Sequence, residues 1–250
     1  DSTSAENRLL KTFKLVTLDS HGGFSRAELS ALGAIVDYLD ITQKGSLPLL
    51  QPPKRHISAK TMQIDAATRR NLELTHALSG ARNGSLLATI DQTLTAAGGR
   101  LLEHRIGSPS LYIDVVNNRQ NAISALIAHS PVLDKVRGHL RHIPDVARAL
   151  SRLALNRGGP RDLGSIRSAL HQAEAIADVM QTSPLCPELG SVHEKLMGHA
   201  GLIELLLKAL NEDLPLLLRD GGFVAAGFEP DLDHARHLRD EGRGVIAQMQ

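Results

Sequence analysis

The sequence predicts a mainly α fold, a multi-helical bundle with a few short strands. Leucine (41 residues) and alanine (28 residues) make up more than a quarter of the 250-residue chain, and both are strong helix formers. The chain has only four phenylalanines and two tyrosines, and it has no tryptophan. This scarcity of rings argues against an immunoglobulin-type sandwich, an aromatic-girdled barrel and an RNA module that stacks bases on aromatic side chains.

Charge and cysteine usage narrow the functional classes further. The 28 Lys and Arg residues nearly balance the 27 Asp and Glu residues, giving a formal net charge of +1, which excludes a globally basic nucleic-acid binder but not a local basic patch. Cys186 is the single cysteine, which excludes an internal disulfide and favours a reducing, cytoplasmic setting. The most apolar stretch, residues 201–210, contains Glu204 and Lys208, so we expect no membrane-spanning helix.

The N-terminal part of the chain carries one clear helix start. Ser25 and Glu28 have the spacing of a capping box, in which each side chain satisfies a backbone amide of the other residue. Leucine, isoleucine and valine then recur at helical spacing as far as Leu39, which predicts an amphipathic helix with one face on a core. The proline-containing stretch 48–53 predicts the loop that follows.

In the middle of the chain the patterns predict one short strand and then a series of helices. Met62 and Ile64 alternate with polar neighbours, which is typical of a strand. Asp65 has the position of an N-cap for a helix that carries apolar residues as far as Leu78. Between residues 85 and 181 helices alternate with short turns. The predicted helix starts are Thr95, Asp114 and the first-turn prolines Pro131, Pro144 and Pro160.

In the C-terminal part the sequence pattern changes from helical to strand-like and then back to helical. Apolar residues at helical spacing predict one long helix from about residue 188 to residue 211. The stretch 215–227 has strand-like apolar triplets around a glycine turn. A last, charged helix begins near Pro230 and is still running at Gln250.

The sequence contains no recognisable catalytic motif. None of the eight lysines follows a glycine, which excludes a Walker-type ATP site within this chain. The histidine pairs at 139/142 and 234/237 lie one helical turn apart, a spacing that could hold a metal. Charged residues surround both pairs, so solvated helix faces are the stronger interpretation. We therefore expect no catalytic, cofactor or metal site in this chain, and an esterase or zinc enzyme is disfavoured.

One segment is unusually basic. From Lys135 to Arg167 there are eight Lys and Arg residues, opposed only by Asp145 and Asp162. A surface that faces phosphates would have this composition, but so would arginines that pair with acidic residues on neighbouring helices. No aromatic residues are interleaved, which disfavours single-strand stacking. The candidate phosphate-facing residues are Arg137, Arg141, Arg148, Arg152, Arg157 and Arg161.

A series of short motifs carries a family resemblance over nearly the whole chain. Residues 62–75 closely resemble the start of the core, or lever, region of the MutS family of DNA mismatch-recognition ATPases. Upstream, residues 19–24 and 38–44 look like the segment that joins the connector domain to the core. Further motifs follow in the family's order at 91–95, 99–102, 119–123, 145–148, 152–155, 160–163, 218–222 and 227–233.

The resemblance implies a domain division and a role. Residues 1–53 would be the connector-to-core junction with the first core helix, residues 54–229 the helical core/lever domain, and residues 230–250 the start of a helical arm toward the clamp domain. Such a segment would couple ATPase state to DNA clamping without doing chemistry itself. The residues implied as structural organisers of the junction are Asp65, Arg69, Arg70, Asn71 and Glu73. A capped, solvated surface turn is the alternative interpretation of the same residues.

The resemblance also implies what the parent protein binds. It would use ATP and Mg²⁺, form a homodimer, hold mismatched duplex DNA through clamp and mismatch-reading domains, and work with a MutL-like partner. No phenylalanine here has a glutamate two residues later, so the family's mismatch-reading Phe-x-Glu motif is absent.

Two positions depart from the family pattern, and a second function stays open. Arg105 stands where the family usually has tryptophan, and Ser110 stands where leucine is usual. Both departures put the packing near residues 100–112 in question. The alternative function is a free-standing helical adaptor that uses the basic surface at 135–167 to bind a protein or a nucleic acid.

Overall fold

The chain folds as a series of helices joined by short turns. The computed structural model describes residues 1–45, 47–48, 50–55, 60–182 and 186–248, and the prediction of a mainly α fold is confirmed. The helices are α1 (Ser2–Phe13), α2 (Arg26–Thr42), α3 (Ala66–Asn71), α4 (Leu86–Ile90), α5 (Ala96–Gly107), α6 (Ile113–Ala128), α7 (Ser130–Leu140), α8 (Val146–Ala154), α9 (Pro160–Gln181), α10 (Pro187–Leu196), α11 (Ala200–Ala209) and α12 (Pro230–Gln248).

Extended pairing is minimal within the described ranges. It consists of two isolated antiparallel bridges, Thr61 with Ser110 and Leu210 with Val224. The strand predicted at Met62 and Ile64 is therefore reduced to a single bridge beside it. The strand-like stretch 215–227 forms a short 3-10 turn at Leu218–Asp220 and pairs with the end of α11 only at Val224, because two glycines with positive φ lie between these two parts and reverse the chain.

The first two helices pack against each other around an apolar core of their own. The core is made of Leu9, Leu18, Leu29 and Val36. Gly33 of α2 lies directly against α1, since a Cβ built on Gly33 would lie 2.4 Å from the Cβ of Ala5. Two helices can approach this closely only where one of them lacks a side chain. The contact therefore sets the spacing of α1 and α2.

We expect a methyl group at Gly33 to force these two helices apart. Gly33→Ala should lower the free energy of unfolding by about 1–3 kcal/mol through overpacking. Gly201→Ala is the matched control, because Gly201 also lies in a helix but has no neighbouring atom within 4 Å of the place that its methyl group would take, and it should raise stability by about 0.5–1 kcal/mol. Urea unfolding followed by circular dichroism measures both, and equal stabilisation by the two substitutions would contradict the contact.

The longest helix, α9, is the centre of the second half of the chain. Helices α7, α8, α10 and α11 all pack against it. The core between α8, α9 and α11 is made of Ala149, Ile166, Leu206 and Leu210, with Leu153, Leu163 and Phe223 packed against it. A single continuous helix therefore connects most of the other helices of this region.

Several helix boundaries follow the predicted caps, and some do not. Ser25 and Glu28 form the predicted capping box, with the Glu28 amide 3.3 Å from Ser25 Oγ and the Ser25 amide 2.7 Å from a Glu28 carboxylate oxygen. Thr95 caps α5 as predicted. The prediction for Pro144 is wrong, because the N-cap of α8 is Asp145, whose carboxylate accepts the Arg148 amide.

Two predicted helices are shorter than their apolar patterns suggested. The helix capped by Asp65 ends at Asn71, because Glu73 takes a positive φ of 48° and reverses the chain. The long helix predicted at 188–211 is broken into α10 and α11 at Gly198, whose φ is +90°. The last helix begins at Pro230 as predicted, whereas residues 249 and 250 lie outside the described part. None of the described helices combines the length and apolarity required to cross a membrane.

Candidate interaction surface and junction motif

The structure divides the six candidate arginines into two groups. Arg152, Arg157 and Arg161 line one open cleft of ≈ 960 Å³ at the turn between α8 and α9. We call this the α8–α9 cleft; its opposite wall is the segment 216–219. Arg137, Arg141 and Arg148 do not line it. The cleft therefore contains only half of the candidate arginines.

Arg152 is held by an ion pair at the start of α9. Its Nε lies 2.9 and 3.1 Å from the two carboxylate oxygens of Asp162, and an Nη contacts the same group. Asp162 is buried, with 7% of its surface exposed, and it also accepts the amide of Gly159 at 3.0 Å. The hydrogen bond from Arg152 is the main cause that holds the pKa of Asp162 below its usual value, although burial acts in the opposite direction. Arg152 therefore links α8 to the start of α9 through its ion pair with Asp162.

Two other candidates bind backbone oxygens. The guanidinium of Arg137 donates to the carbonyl of Gln92 at 3.4 and 3.5 Å. Arg161 Nε donates to the carbonyl of Leu214 at 3.1 Å. These arginines tie a helix to a loop distant in the sequence, and they keep part of their hydrogen-bonding capacity for a partner.

The remaining candidates are the most available to a partner. Arg141, Arg148 and Arg157 are exposed, and their side chains make no hydrogen bond or ion pair in the part of the chain that the structure describes. Arg148 lies close enough to Asp145 to contribute to the lowering of its pKa. The largest cause of that lowered pKa is the hydrogen bonding of Arg100, whose two Nη atoms lie 3.0 and 3.1 Å from the Asp145 oxygens.

The predicted junction motif forms a tight local structure. Asp65 caps α3, accepting the amide and the hydroxyl of Thr68, each at 2.8 Å. These two bonds are the main causes that lower the pKa of Asp65. Glu73 accepts the amide of Leu78 at 2.6 Å, and its own carbonyl accepts the amide of Leu86 at 2.9 Å. The motif therefore ends one helix and fixes the path into the next.

The arginines of the motif border a second open cleft. Arg69 and Arg70 line this cleft of ≈ 650 Å³ together with His76 and the turn at Gly80. An Nη of Arg69 lies 3.5 Å from the carbonyl of Ile64, and the guanidinium packs against Gly107 so closely that a Cβ there would lie 2.8 Å from Nη1. Asn71 is exposed and forms the last residue of α3.

The histidine pairs sit among other partners. His139 lies 2.8 Å from Gln172 and His237 lies 3.2 Å from Glu241. No group of three or more His, Cys, Asp or Glu side chains in the described ranges is arranged to hold a metal ion.

Comparison with known proteins decides the family. The sequence profile of MutS domain III matches residues 67–248 of this chain, which is almost three quarters of its length. The chain belongs to the MutS family. The match begins inside α3, so it includes four of the five junction residues and all six candidate arginines of the basic segment.

The curated relatives support the same family assignment over all 250 residues of this chain. Proteins named DNA mismatch repair protein MutS from Roseobacter denitrificans and Paracoccus denitrificans are each 55% identical over 250 residues, and one from Cereibacter sphaeroides is 56% identical over 251 residues. Each alignment covers 100% of this chain and 28% of the relative. The chain therefore spans little more than a quarter of the length of these MutS proteins.

Arg105, one of the two residues expected to depart from the family pattern, has a shifted pKa. Arg105, on α5, has a lowered pKa, first because of partial desolvation and then because of the nearby positive charge of Arg119. Glu188 acts against this lowering. Arg105 therefore lies where α5, α6 and α10 come near one another, with a like charge as one neighbour.

Sequence reasoning missed the second wall of the α8–α9 cleft in this MutS-family chain. Leu216, Leu217, Leu218 and Arg219 follow the basic segment by almost fifty residues or more, and their pattern predicts a strand. One feature of the sequence argues against that strand: the three leucines lie in a stretch rich in proline and glycine, where a long strand is disfavoured. Sequence reasoning also missed Arg167, which donates to the carbonyls of Leu210 and Asn211 at the end of α11.

Proposed function

We propose that this chain is the lever segment of a MutS-like DNA mismatch-recognition protein, coupling ATPase state in one part of the protein to DNA clamping in another. The observation that carries the proposal is α9, a 22-residue helix against which four other helices pack. A long helix has its backbone hydrogen bonds satisfied internally, and packed cores deform little. Such an arrangement supports transmission of rigid-body rotation rather than chemistry.

The proposal places the chemistry and the specific DNA contacts outside this chain. We infer that ATP and Mg²⁺ bind elsewhere in the full-length protein. These 250 residues contain no glycine followed by lysine, the pair that a Walker-type site uses to hold a triphosphate. Mismatched duplex DNA would be held by clamp and mismatch-reading domains, in a cytoplasmic homodimer that works with a MutL-like partner. Sequencing the gene on both sides of the segment tests this: a downstream Gly-x-x-x-x-Gly-Lys-Ser/Thr motif supports the proposal, and a stop codon directly after Gln250 contradicts it.

We expect the 250-residue chain alone to bind duplex DNA weakly and without regard to mismatches. Arg141 and Arg148 could contact only phosphates, which carry no sequence information. Replacing both with alanine should reduce the slope of log K against log salt concentration by about 2, because each phosphate contact contributes a slope of about 0.9. Fluorescence anisotropy with matched and mismatched duplexes at several salt concentrations measures this.

The control for this titration is Arg26→Ala, which removes an exposed arginine of α2 outside the basic segment. It should leave the salt slope at the wild-type value. A preference of about tenfold or more for mismatched over matched duplex would contradict the proposal, because that ratio requires contacts beyond phosphates.

A further inference from the structure

The α8–α9 cleft combines an apolar wall with an arginine rim. Three consecutive leucines form the apolar wall, and they remain 63%, 42% and 59% exposed at Leu216, Leu217 and Leu218. The wall lies directly against the start of α9, since a Cβ at Gly159 would lie 3.1 Å from the carbonyl oxygen of Leu216. The amide of Leu217 also donates to Asp220 at 3.3 Å. Such a wall exposes apolar surface to water at a cost that a partner would remove.

The rim of the cleft has positive charge to spare. Arg157 and Arg219 are exposed and make no ion pair or side-chain hydrogen bond in the described part of the chain. Arg161 donates one hydrogen bond to the Leu214 carbonyl, and the other N–H groups of its guanidinium can still bind a partner. The carboxylate of Asp162 in the lining is already taken by Arg152 and by the Gly159 amide. Three arginines of the cleft therefore have no counterion among the described residues.

We propose that the α8–α9 cleft binds an acidic, amphipathic segment of a partner protein. Carboxylates of that segment would pair with Arg157, Arg161 and Arg219, since a guanidinium binds a carboxylate through two parallel hydrogen bonds. Its aliphatic side chains would cover Leu216–Leu218. The proposal does not depend on the lever role, since it rests on the composition of one cleft.

The same composition argues against the other occupants. Duplex DNA would satisfy the arginines but leave three exposed leucines against phosphates and sugars. A second copy of this chain would bring its own arginines to the contact, which is unfavourable unless acidic residues oppose them. An acidic amphipathic segment satisfies both the charge and the apolar wall.

The test is a binding titration with a defined probe. The probe is a fluorescein-labelled helical peptide with leucines on one face and glutamates on the other, and its controls are the same composition scrambled and the same leucine face with lysines. We expect saturable anisotropy with the acidic peptide only, weakened by added salt. Arg157→Ala with Arg219→Ala should weaken binding about tenfold, and Leu217→Ser should weaken it separately.

Matched variants keep the test independent of folding. Arg141→Ala with Arg148→Ala removes two exposed arginines outside the cleft and should leave peptide binding unchanged. Circular dichroism melts should match for all arginine variants, because none of these side chains has an internal hydrogen-bonding partner in the described ranges.

Three results would overturn the proposal. The first is equal binding of the scrambled or lysine peptide. The second is displacement of the acidic peptide by duplex DNA at lower concentration than by unlabelled peptide. The third is concentration-dependent dimerisation that the Arg157 and Arg219 substitutions abolish, which would assign the cleft to a second copy of the chain. Failure of the lever proposal would change none of these outcomes.

Discussion

Leu206→Ala is expected to destabilise the α8–α9–α11 core by about 2–4 kcal/mol in free energy of unfolding. Leu206 is 8% exposed and belongs to the cluster of Ala149, Ile166 and Leu210. Truncation removes apolar contacts and leaves a cavity between helices that are tied together by short turns and cannot fully collapse. Urea unfolding followed by far-ultraviolet circular dichroism measures the loss.

The neighbouring leucine is the matched control for this substitution. Leu205 lies on the same helix but is 51% exposed, so Leu205→Ala should change the free energy of unfolding by no more than about 0.5 kcal/mol. Helix propensity changes equally in the two variants, so their difference isolates burial. Equal losses in both would contradict the position of α11 against α9.

Asp162→Ala is the second substitution with a large expected effect. It removes the acceptor for the Gly159 amide at the start of α9 and leaves Arg152 without its counterion. Loss of the cap and of the buried hydrogen bonds should lower the free energy of unfolding by about 2 kcal/mol. Asp162→Asn should cost less, because the amide oxygen can still accept from Gly159 while the ion pair is lost.

The same residue gives a pH dependence with a definite sign. The pKa of Asp162 is lowered in the folded state, whereas in the unfolded chain it is about 3.9. The ionised Asp162 carboxylate therefore stabilises the fold fully at pH values above its pKa in the unfolded chain. This stabilisation is lost as the pH falls through the lower pKa that Asp162 has in the folded state. The stability difference between wild type and Asp162→Ala should shrink between pH 7 and pH 3, and a difference that grows on acidification would contradict the ion pair.

Local interactions account for what the sequence could predict. The caps at Ser25, Asp65 and Thr95 were predictable because a cap is a bond between residues three positions apart. The helix ends at Asn71 and near Gly198 were missed because apolar spacing runs across them. In each case a residue with positive φ close to the helix end stops the helix. A non-glycine residue such as Glu73 seldom takes a positive φ, so its identity does not predict this helix end.

The candidate phosphate-facing surface stays a prediction, and the structure shows how its arginines are placed. Composition identified the basic segment, and the open alternative of internal pairing applies to Arg152, whose partner Asp162 lies ten residues along the chain. Composition could not place Leu216–Leu218 beside it, because that contact depends on how α9 and α11 pack. The pair α1 and α2 was half predicted, since the helix at Ser2–Phe13 was missed although Asp1 caps it.

The lever proposal depends on the stiffness of α9, which can be altered without removing contacts. Ser168 and His171 are exposed on α9, so glycine at both positions makes the helix about 2 kcal/mol less favourable than alanine at both positions does, and about 1 kcal/mol less favourable than the native pair does. A full-length context exists, because the Paracoccus denitrificans relative aligns with all 250 residues at 55% identity. A chimera carries this chain in place of the matching segment of that relative.

The most direct measurement is the rate at which ATP releases a mismatched duplex from this chimera, followed by fluorescence anisotropy. We expect unchanged nucleotide-free binding of the duplex in all variants. We expect release to be slowed about fivefold or more in the Ser168→Gly, His171→Gly chimera and to be unchanged in the Ser168→Ala, His171→Ala chimera. Wild-type release by the glycine chimera, with hydrogen exchange reporting a loosened α9, would contradict the coupling role of this segment.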